Sequence, residues 1–171
     1  MCGVPNAQGY RREMANIDAA IGAQRVPRPI PFGWFSIGRE RDLPSAMVPD
    51  SGAAGEVMSL QAVGRELVAW HDGTTFRVAD AFCPHLGAHL GVGGRVDDGC
   101  LVCPYPEWTF DGAGRNASIP DTDRTNATAQ LRMYPTTVVD GHVRFGYHPD
   151  EGVEPLWTVP SLIDDSMVHC G

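Results

Sequence analysis

The apolar residues of this chain fall into short runs separated by turn residues. In the run at 142–147, Val143, Phe145 and Tyr147 alternate with polar residues, which is the period of a half-buried β-strand. Comparable runs predict further strands at 32–37, 57–63, 66–71, 75–80, 100–103, 108–111, 129–134 and 136–140. The pattern is typical of a protein built from many short strands.

Asp-Gly pairs separate several of these runs, at 72–73, 98–99, 111–112 and 140–141. An Asp-Gly pair between two apolar runs is a strong local signal for a β-hairpin. The chain is therefore predicted to be all-β, with an antiparallel sandwich or barrel and long loops. The longest loops are expected at 81–95 and 103–108, each following a strand.

The N-terminal region differs from the rest. Residues 10–24 can be interpreted as a short amphipathic helix with Met14, Ile17 and Ile21 on one side, or as a loosely held arm. Prolines within 25–31 break any helix and mark the entry to the folded body. The predicted organisation is an N-terminal arm at 1–30, one domain at 31–150 and a C-terminal tail at 151–171.

Composition narrows the class of protein. With 171 residues, 43% apolar and 20% charged, the chain can bury one sizeable core. The formal net charge is −8 and no run of Lys or Arg occurs, which excludes a nucleic-acid footprint or an anionic membrane surface. No stretch approaches the ~18 apolar residues of a membrane span, and the N-terminus lacks the apolar segment of a secretory signal. We therefore expect a cytoplasmic protein.

Candidate chemistry is concentrated in the two long loops. The segment CPHLGAHLG opens with Cys83 and His85, and the segment CPYPEW opens with Cys103. The five cysteines are an odd number for a disulfide framework, and in a reducing compartment clustered Cys and His residues indicate metal binding. The spacing is Cys-x-His followed by Cys-x-x-Pro, so a four-ligand site would need a lone-pair donor at Pro106.

These segments resemble the two cluster-binding loops of Rieske [2Fe-2S] domains, whose pattern is Cys-x-His and then Cys-x-x-His. PFGWFSIG, ELVAW, the FDGAG turn with IPD downstream, and YHPDEGVEPLWTVP resemble the N-terminal domain of steroid-type Rieske oxygenases, the 3-ketosteroid 9α-hydroxylase and cholesterol 7-desaturase type. The resemblance extends from Pro31 to about Pro160. It implies a Rieske-type antiparallel β-sandwich with a small cluster-loop subdomain.

The resemblance also implies a ligand set. Cys83 and Cys103 match the ligands of the inner iron, His85 matches one ligand of the outer iron, and Pro106 stands where the second histidine belongs. The ring nitrogen of proline is an amide without a usable lone pair. The implied cofactor is a [2Fe-2S] cluster with one ligand missing; the alternatives are no cofactor, or a single Zn or Fe.

Residues close to Pro106 in the sequence are candidate substitutes for the missing ligand. Glu107 follows the empty position and offers a carboxylate. Cys100 is expected to face the opposite way from Cys103, because side chains alternate along a strand. His89 is interpreted as structural. The remaining Cys and His residues are interpreted as surface residues or as parts of the tails: Cys2, Cys170, His71, His142, His148 and His169.

Three functions remain open. The favoured one is a degenerate, non-catalytic or auxiliary subunit of a Rieske oxygenase-type complex with a steroid-like substrate. The second is an electron-transfer protein whose fourth ligand comes from Glu107, water or a partner chain. The third is a mononuclear zinc or iron site using Cys83, His85 and Cys103. No second iron site of the two-His, one-carboxylate kind follows the domain, so no oxygenase activity is expected from the chain alone.

The expected partner is a catalytic oxygenase-type subunit, or a second copy of this chain in a homo-oligomer. An apolar patch around the cluster loops would provide the contact surface. The residues expected in this patch are Leu86, Leu90, Pro104, Tyr105 and Trp108.

Overall fold

The computed structural model describes residues 32–44, 47, 55–155 and 157–163. Eleven strands lie within this part of the chain, together with a 3₁₀ turn at Glu40–Asp42. The strands are β1 Gly33–Arg39, β2 Met58–Ala62, β3 Arg65–His71, β4 Phe76–Asp80, β5 Arg95–Asp97, β6 Cys100–Val102, β7 Thr109–Phe110, β8 Asn116–Ser118, β9 Met133–Tyr134, β10 Thr136–Val139 and β11 His142–Tyr147. The helix interpretation of residues 10–24 lies outside the described residues.

The strands form three antiparallel sheets. One has the order β1-β11-β10, the second β2-β3-β4-β9 and the third β5-β6-β7-β8. Every pairing within them is antiparallel. The predicted all-β, antiparallel fold class is confirmed. The third sheet is formed by residues 95–118 and is the small subdomain next to the candidate site.

Strand β3 has a core on each of its two faces. Leu67 and Ala69 belong to a cluster that includes residues of β11, whereas Val68 and Trp70 belong to a cluster that includes residues of β6 and β7. Successive side chains on a strand point to opposite faces, so a strand buried on both faces is apolar throughout its central part. Packing on both faces holds this sheet in place, and its strand β4 leads directly into the first long loop.

All four predicted Asp-Gly hairpins occur. The pairs connect β3 to β4, β5 to β6, β7 to β8, and β10 to β11. In two of them both residues adopt positive φ, 46° at Asp98 with 75° at Gly99, and 54° at Asp140 with 68° at Gly141. That backbone is the type I′ turn, whose twist matches the flanking strands.

The strand predictions differ from the structure in three places. Strands β5 and β8 were not predicted, since each is short and mainly polar. The strand predicted at 129–134 is reduced to Met133–Tyr134, because the preceding residues pair elsewhere. The amide of Leu131 donates to the carbonyl oxygen of Gly114 at 2.9 Å, and Gln130 bridges to Arg115.

The described part of the C-terminal segment packs on the first sheet. The indole N–H of Trp34 donates to the carbonyl oxygen of Trp157 at 2.7 Å, and the amide of Leu162 donates to the Asp140 carboxylate at 2.7 Å. No helix in the described ranges has the length and apolarity needed to cross a bilayer. The predicted division at residues 30 and 150 stays a prediction.

Candidate metal centre

The first loop, residues 83–88, closes on itself through backbone hydrogen bonds. The amide of Cys83 donates to the carbonyl oxygen of Ala88 at 2.9 Å, and the amide of Gly87 donates to that of Cys83 at 2.9 Å. Gly87 has a φ of 75°, which glycine adopts without steric strain. The loop therefore leaves Cys83 buried at its base and His85 exposed at its top.

The second loop, residues 103–108, has the same closure. The amide of Cys103 donates to the carbonyl oxygen of Trp108 at 2.9 Å, which is the same five-residue spacing as in the first loop. Glu107, at the position equivalent to Gly87, has a φ of 68°. Strands β6 and β7 hold the two ends of the loop. Cys103 lies at the base, as Cys83 does in the first loop.

The two cysteines are buried in the same hydrophobic cluster. Cys83 is 2% exposed and Cys103 is 0% exposed, and both belong to the same core cluster. The thiol of Cys103 donates to the carbonyl oxygen of Tyr105 at 3.0 Å. Burial raises the pKa of the Cys103 thiol to about 11, and the neighbouring Cys83 thiol adds to this increase. Both thiols are therefore held away from solvent in the same part of the core.

The side chain of His85 packs against the second loop. Its ring stacks on the indole of Trp108, with centroids 4.1 Å apart and planes 6° apart. Trp108 itself is buried in the core cluster that contains both cysteines. One histidine and two cysteines are thus gathered around the same two loops. Their assignment as ligands stays a prediction.

Glu107 is engaged by a residue outside the loop. Its carboxylate lies 3.1 Å from Nη1 of Arg95 on β5, and both side chains are substantially exposed. This contact could not be predicted from the sequence, because the two residues are twelve positions apart and neither belongs to the Cys/His pattern. Pro106 lies between Tyr105 and this ion pair, half-buried.

Cys100 and His89, the two other Cys and His residues near the loops, have contacts of their own. Cys100 is half-buried, and burial raises the pKa of its thiol, with nearby Asp111 and Asp98 adding to the effect. His89 accepts a hydrogen bond from the amide of Gly91 at 3.1 Å and pairs with Glu66 at 3.2 Å. These contacts support the interpretation of Cys100 as facing away and of His89 as structural.

His71, His142 and His148 are half-buried rather than fully exposed. Cys2, Cys170 and His169 lie outside the described residues. Within the described ranges, no three His, Cys, Asp or Glu side chains are arranged to hold one metal ion.

The expected apolar patch is only partly correct. Leu86 is 66% exposed and Tyr105 is 70% exposed, as expected. Leu90 and Trp108 are buried core residues, so their placement in the patch was wrong. Both side chains pack in the core cluster that also contains the two cysteines. Val92, 70% exposed, was not expected in the patch.

Comparison with known families agrees with this arrangement. The family model of the Rieske [2Fe-2S] domain matches residues 34–135, which is more than half of the chain. This chain belongs to the Rieske [2Fe-2S] domain family. The match covers both loops, all of the third sheet and the central sheet that supports the first loop.

The relatives include steroid-related oxygenases. Cholesterol 7-desaturase of Bombyx mori is 35% identical over 162 residues, covering 92% of this chain and 33% of that protein. The Xenopus laevis cholesterol 7-desaturase is 38% identical over 159 residues, with 92% and 33% coverage. The oxygenase component of 3-ketosteroid-9-alpha-monooxygenase from Rhodococcus rhodochrous is 30% identical over 146 residues, covering 85% of this chain and 35% of that protein. The chain spans about a third of the length of these relatives.

A solved structure shows the same fold. Dicamba monooxygenase with non-heme iron and dicamba superposes with a TM-score of 0.63 at 20% identity, covering 78% of this chain and 38% of that one. The steroid-type Rieske resemblance found in the sequence is confirmed by these relatives.

Proposed function

We propose that this chain is a Rieske domain with a degenerate cluster site, acting as a non-catalytic or auxiliary subunit of a Rieske oxygenase-type complex. The observation that carries the proposal is Pro106, at the position where the family pattern has its second histidine. The steroid-like substrate class of the complex is inferred from the printed activities of the relatives, cholesterol 7-desaturase and 3-ketosteroid-9-alpha-monooxygenase.

The donor atoms fit only part of a [2Fe-2S] cluster. The buried sulfurs of Cys83 and Cys103, which belong to one core cluster, suit one iron, and the imidazole of His85 suits one position on the other. Pro106 has no donor nitrogen. An iron with one protein ligand is poorly retained and open to hydrolysis, because metal affinity depends on a complete and oriented ligand set.

The surface around the loops supports a role in assembly. Leu86, Val92 and Tyr105, here named the tip patch, are each at least 66% exposed. An exposed apolar surface beside a binding site is typical of protein contact surfaces. We propose that the tip patch contacts a catalytic oxygenase-type subunit; a second copy of this chain is the alternative partner.

The electron-transfer alternative has its own support. Glu107 is adjacent to Pro106, and its ion pair with Arg95 is exposed, so breaking that pair costs less than ~1 kcal/mol. The carboxylate could therefore leave Arg95 for a metal at small energetic cost. In this alternative Glu107, water or a partner residue completes the outer iron.

The deciding experiment is metal analysis of protein purified without oxygen. Iron, acid-labile sulfide, zinc and the visible spectrum are measured for the natural chain, for Pro106→His and for Pro106→Ala. We expect little iron or sulfide in the natural chain, equal amounts of both in Pro106→His, and no gain in Pro106→Ala. The alanine variant removes the ring without adding a donor, so it separates ligand gain from loop relaxation.

Two results would overturn the proposal. A natural chain that already carries a full cluster would establish the electron-transfer alternative, and Glu107→Gln would then test the identity of the fourth ligand. Stoichiometric zinc, without sulfide, would instead establish the mononuclear alternative.

A further inference from the structure

A cleft of about 470 Å³ opens on the side of the domain. Its walls are residues of β4, β9, β10 and β11, the turn between β7 and β8, and the segment 148–154. No lining residue belongs to 81–108, so the cleft is separate from the candidate metal centre. Small-molecule sites have volumes of roughly 300 to 1,000 Å³. The cleft is therefore large enough for a small organic molecule.

Arg132 supplies a positioned positive charge in this cleft. Its Nη2 donates to the carbonyl oxygens of His148 and Pro149, at 2.9 and 3.2 Å, and its guanidinium lies 5.4 Å from the ring centroid of Tyr134. Arg132 is half-buried, and Tyr134 is buried. In the described part of the chain, no carboxylate lies within 4.0 Å of this guanidinium. The charge is held in place without being neutralised.

Arg77 places a second guanidinium in the same cleft. Its Nε pairs with Oδ2 of Asp72 at 2.5 Å, and the amides of Thr74 and Thr75 donate to Oδ1 of that carboxylate at 2.9 and 2.8 Å. This ion pair adds little net charge. It orients the guanidinium, however, and only its Nε is used in a hydrogen bond among the residues described. The terminal N–H groups of Arg77 are donors available to a ligand.

The negative charges of the cleft lie at its exposed edge. Asp150 and Glu154 both line the cleft and are both exposed, whereas the two arginines are half-buried. Within the described ranges, no arginine or lysine nitrogen lies within 4.0 Å of either carboxylate; Asp150 approaches only Nδ1 of His148, at 3.8 Å. The cleft thus has a positive inner part and a negative rim.

We propose that this cleft is a binding site for a small zwitterion of the ω-amino acid class, with a carboxylate at one end and an ammonium group at the other. The carboxylate pairs with Arg132 and accepts hydrogen bonds from Arg77, because guanidinium groups match carboxylates in shape and charge. The ammonium group lies at the rim formed by Asp150 and Glu154. This inference goes beyond the proposed function and does not depend on the state of the metal centre.

The test is calorimetric titration of the full chain with four probes that share a five-carbon chain: δ-aminovalerate, valerate, glutarate and pentylamine. We expect δ-aminovalerate to bind in the millimolar range and about fivefold more tightly than valerate, since the rim charges are exposed and screened by water. Glutarate and pentylamine should bind more weakly than valerate, because each places a like charge against one end of the cleft. Absence of saturable δ-aminovalerate binding, or equal binding of glutarate or pentylamine, overturns the inference.

Variants assign the two ends of the ligand. Arg132→Gln should weaken δ-aminovalerate binding at least about tenfold, since it removes a charge-assisted contact. Because Arg132 also holds the carbonyl groups of residues 148 and 149, its folding is checked by circular dichroism. Unchanged binding by the folded variant contradicts the site.

The double variant Asp150→Asn, Glu154→Gln alters only exposed side chains and should fold normally. It should lose the preference for δ-aminovalerate over valerate while keeping or gaining affinity for valerate. Glu151→Gln is the matched control, because Glu151 is exposed in the same segment but does not line the cleft. A preference that survives in the double variant, or is equally lost in Glu151→Gln, overturns the assignment of the rim.

Discussion

The imidazole of His85 lies parallel to the indole of Trp108, 4.1 Å away, so a residue at the top of the first loop is positioned by the end of the second. Of the two stacked residues, Trp108 is buried and His85 is exposed. The histidine ring is therefore fixed by packing on an aromatic face, a contact that needs no metal. The same stack makes Trp108 a structural residue of both loops.

Replacing Trp108 with Ala should lower the free energy of unfolding by about 3 to 5 kcal/mol, since it removes a large buried side chain. Trp108→Phe should lose less, because an aromatic face remains under His85. Urea denaturation measures both, and Tyr105→Ala is the matched control in the same loop. Its exposed side chain predicts a change within about 0.5 kcal/mol. An equal loss in Tyr105→Ala would contradict the packing argument.

Glu107 adopts a φ of 68°, a conformation that costs an ordinary residue about 1 kcal/mol or more and glycine very little. Glu107→Gly should therefore exceed Glu107→Ala in stability by about 1 kcal/mol, although both lose the ion pair to Arg95. Chemical denaturation of the two variants gives this difference directly. Arg95→Ala isolates the ion pair, which should contribute less than about 1 kcal/mol. Identical stabilities for the glycine and alanine variants would rule out backbone strain at this position.

Turns and motifs that depend on residues close together in the sequence could be predicted. Strand pairings and side-chain contacts that depend on distant residues could not. The Asp98-Gly99 and Asp140-Gly141 hairpins were predicted, because turn chemistry is local. The polar strand β8 was missed, since its formation depends on pairing with β7. For the site, the Cys/His pattern predicted which loops carry the candidate ligands, but the contact of Arg95 with Glu107 could not be predicted from the sequence.

Asn116 has both ends of its amide occupied. Its Nδ2 donates to the carbonyl oxygens of Thr109 and Ser118 at 3.1 and 3.0 Å, and its Oδ1 accepts from the amide of Asn126 at 2.8 Å. Asn116→Asp would place a buried carboxylate against two carbonyl oxygens, with an expected loss of about 2 to 3 kcal/mol.

Thermal and urea unfolding of Asn116→Asp, beside the exposed Ser118→Ala as control, measure this loss. The control should change stability by less than about 0.5 kcal/mol. A neutral effect of Asn116→Asp at pH 7 would show that these hydrogen bonds do not hold β7, β8 and the segment at 126 together.

The buried hydroxyl of Tyr134 makes the stability of the fold depend on pH in the alkaline range. Burial raises the pKa of its hydroxyl, and the hydrogen bond that it donates to the Asp80 carboxylate, at 2.7 Å, raises it further. A pKa above the unfolded value of about 10 means that the folded state keeps its proton longer. The resulting stability is fully present below about pH 10 and is lost as the pH rises above it.

Tyr134→Phe removes this contribution. The natural chain should be more stable than the variant by about 1 to 3 kcal/mol at pH 8, and this advantage should shrink between pH 10 and 12. Urea titrations of both proteins across this range measure it. A difference that stays constant to pH 12 would contradict the assigned role of the Tyr134 proton.

Each loop is closed by its own backbone hydrogen bonds, so both loops can form before any cofactor binds. In zinc fingers the metal organises the chain, so loss of a ligand prevents folding. Here the amides of Cys83 and Cys103 are bonded within their loops, so the receptor for a cofactor is shaped by protein alone. Folding therefore does not require a metal ligand at position 106. A mutation there can abolish cofactor capture while leaving a stable domain on which other uses can be selected.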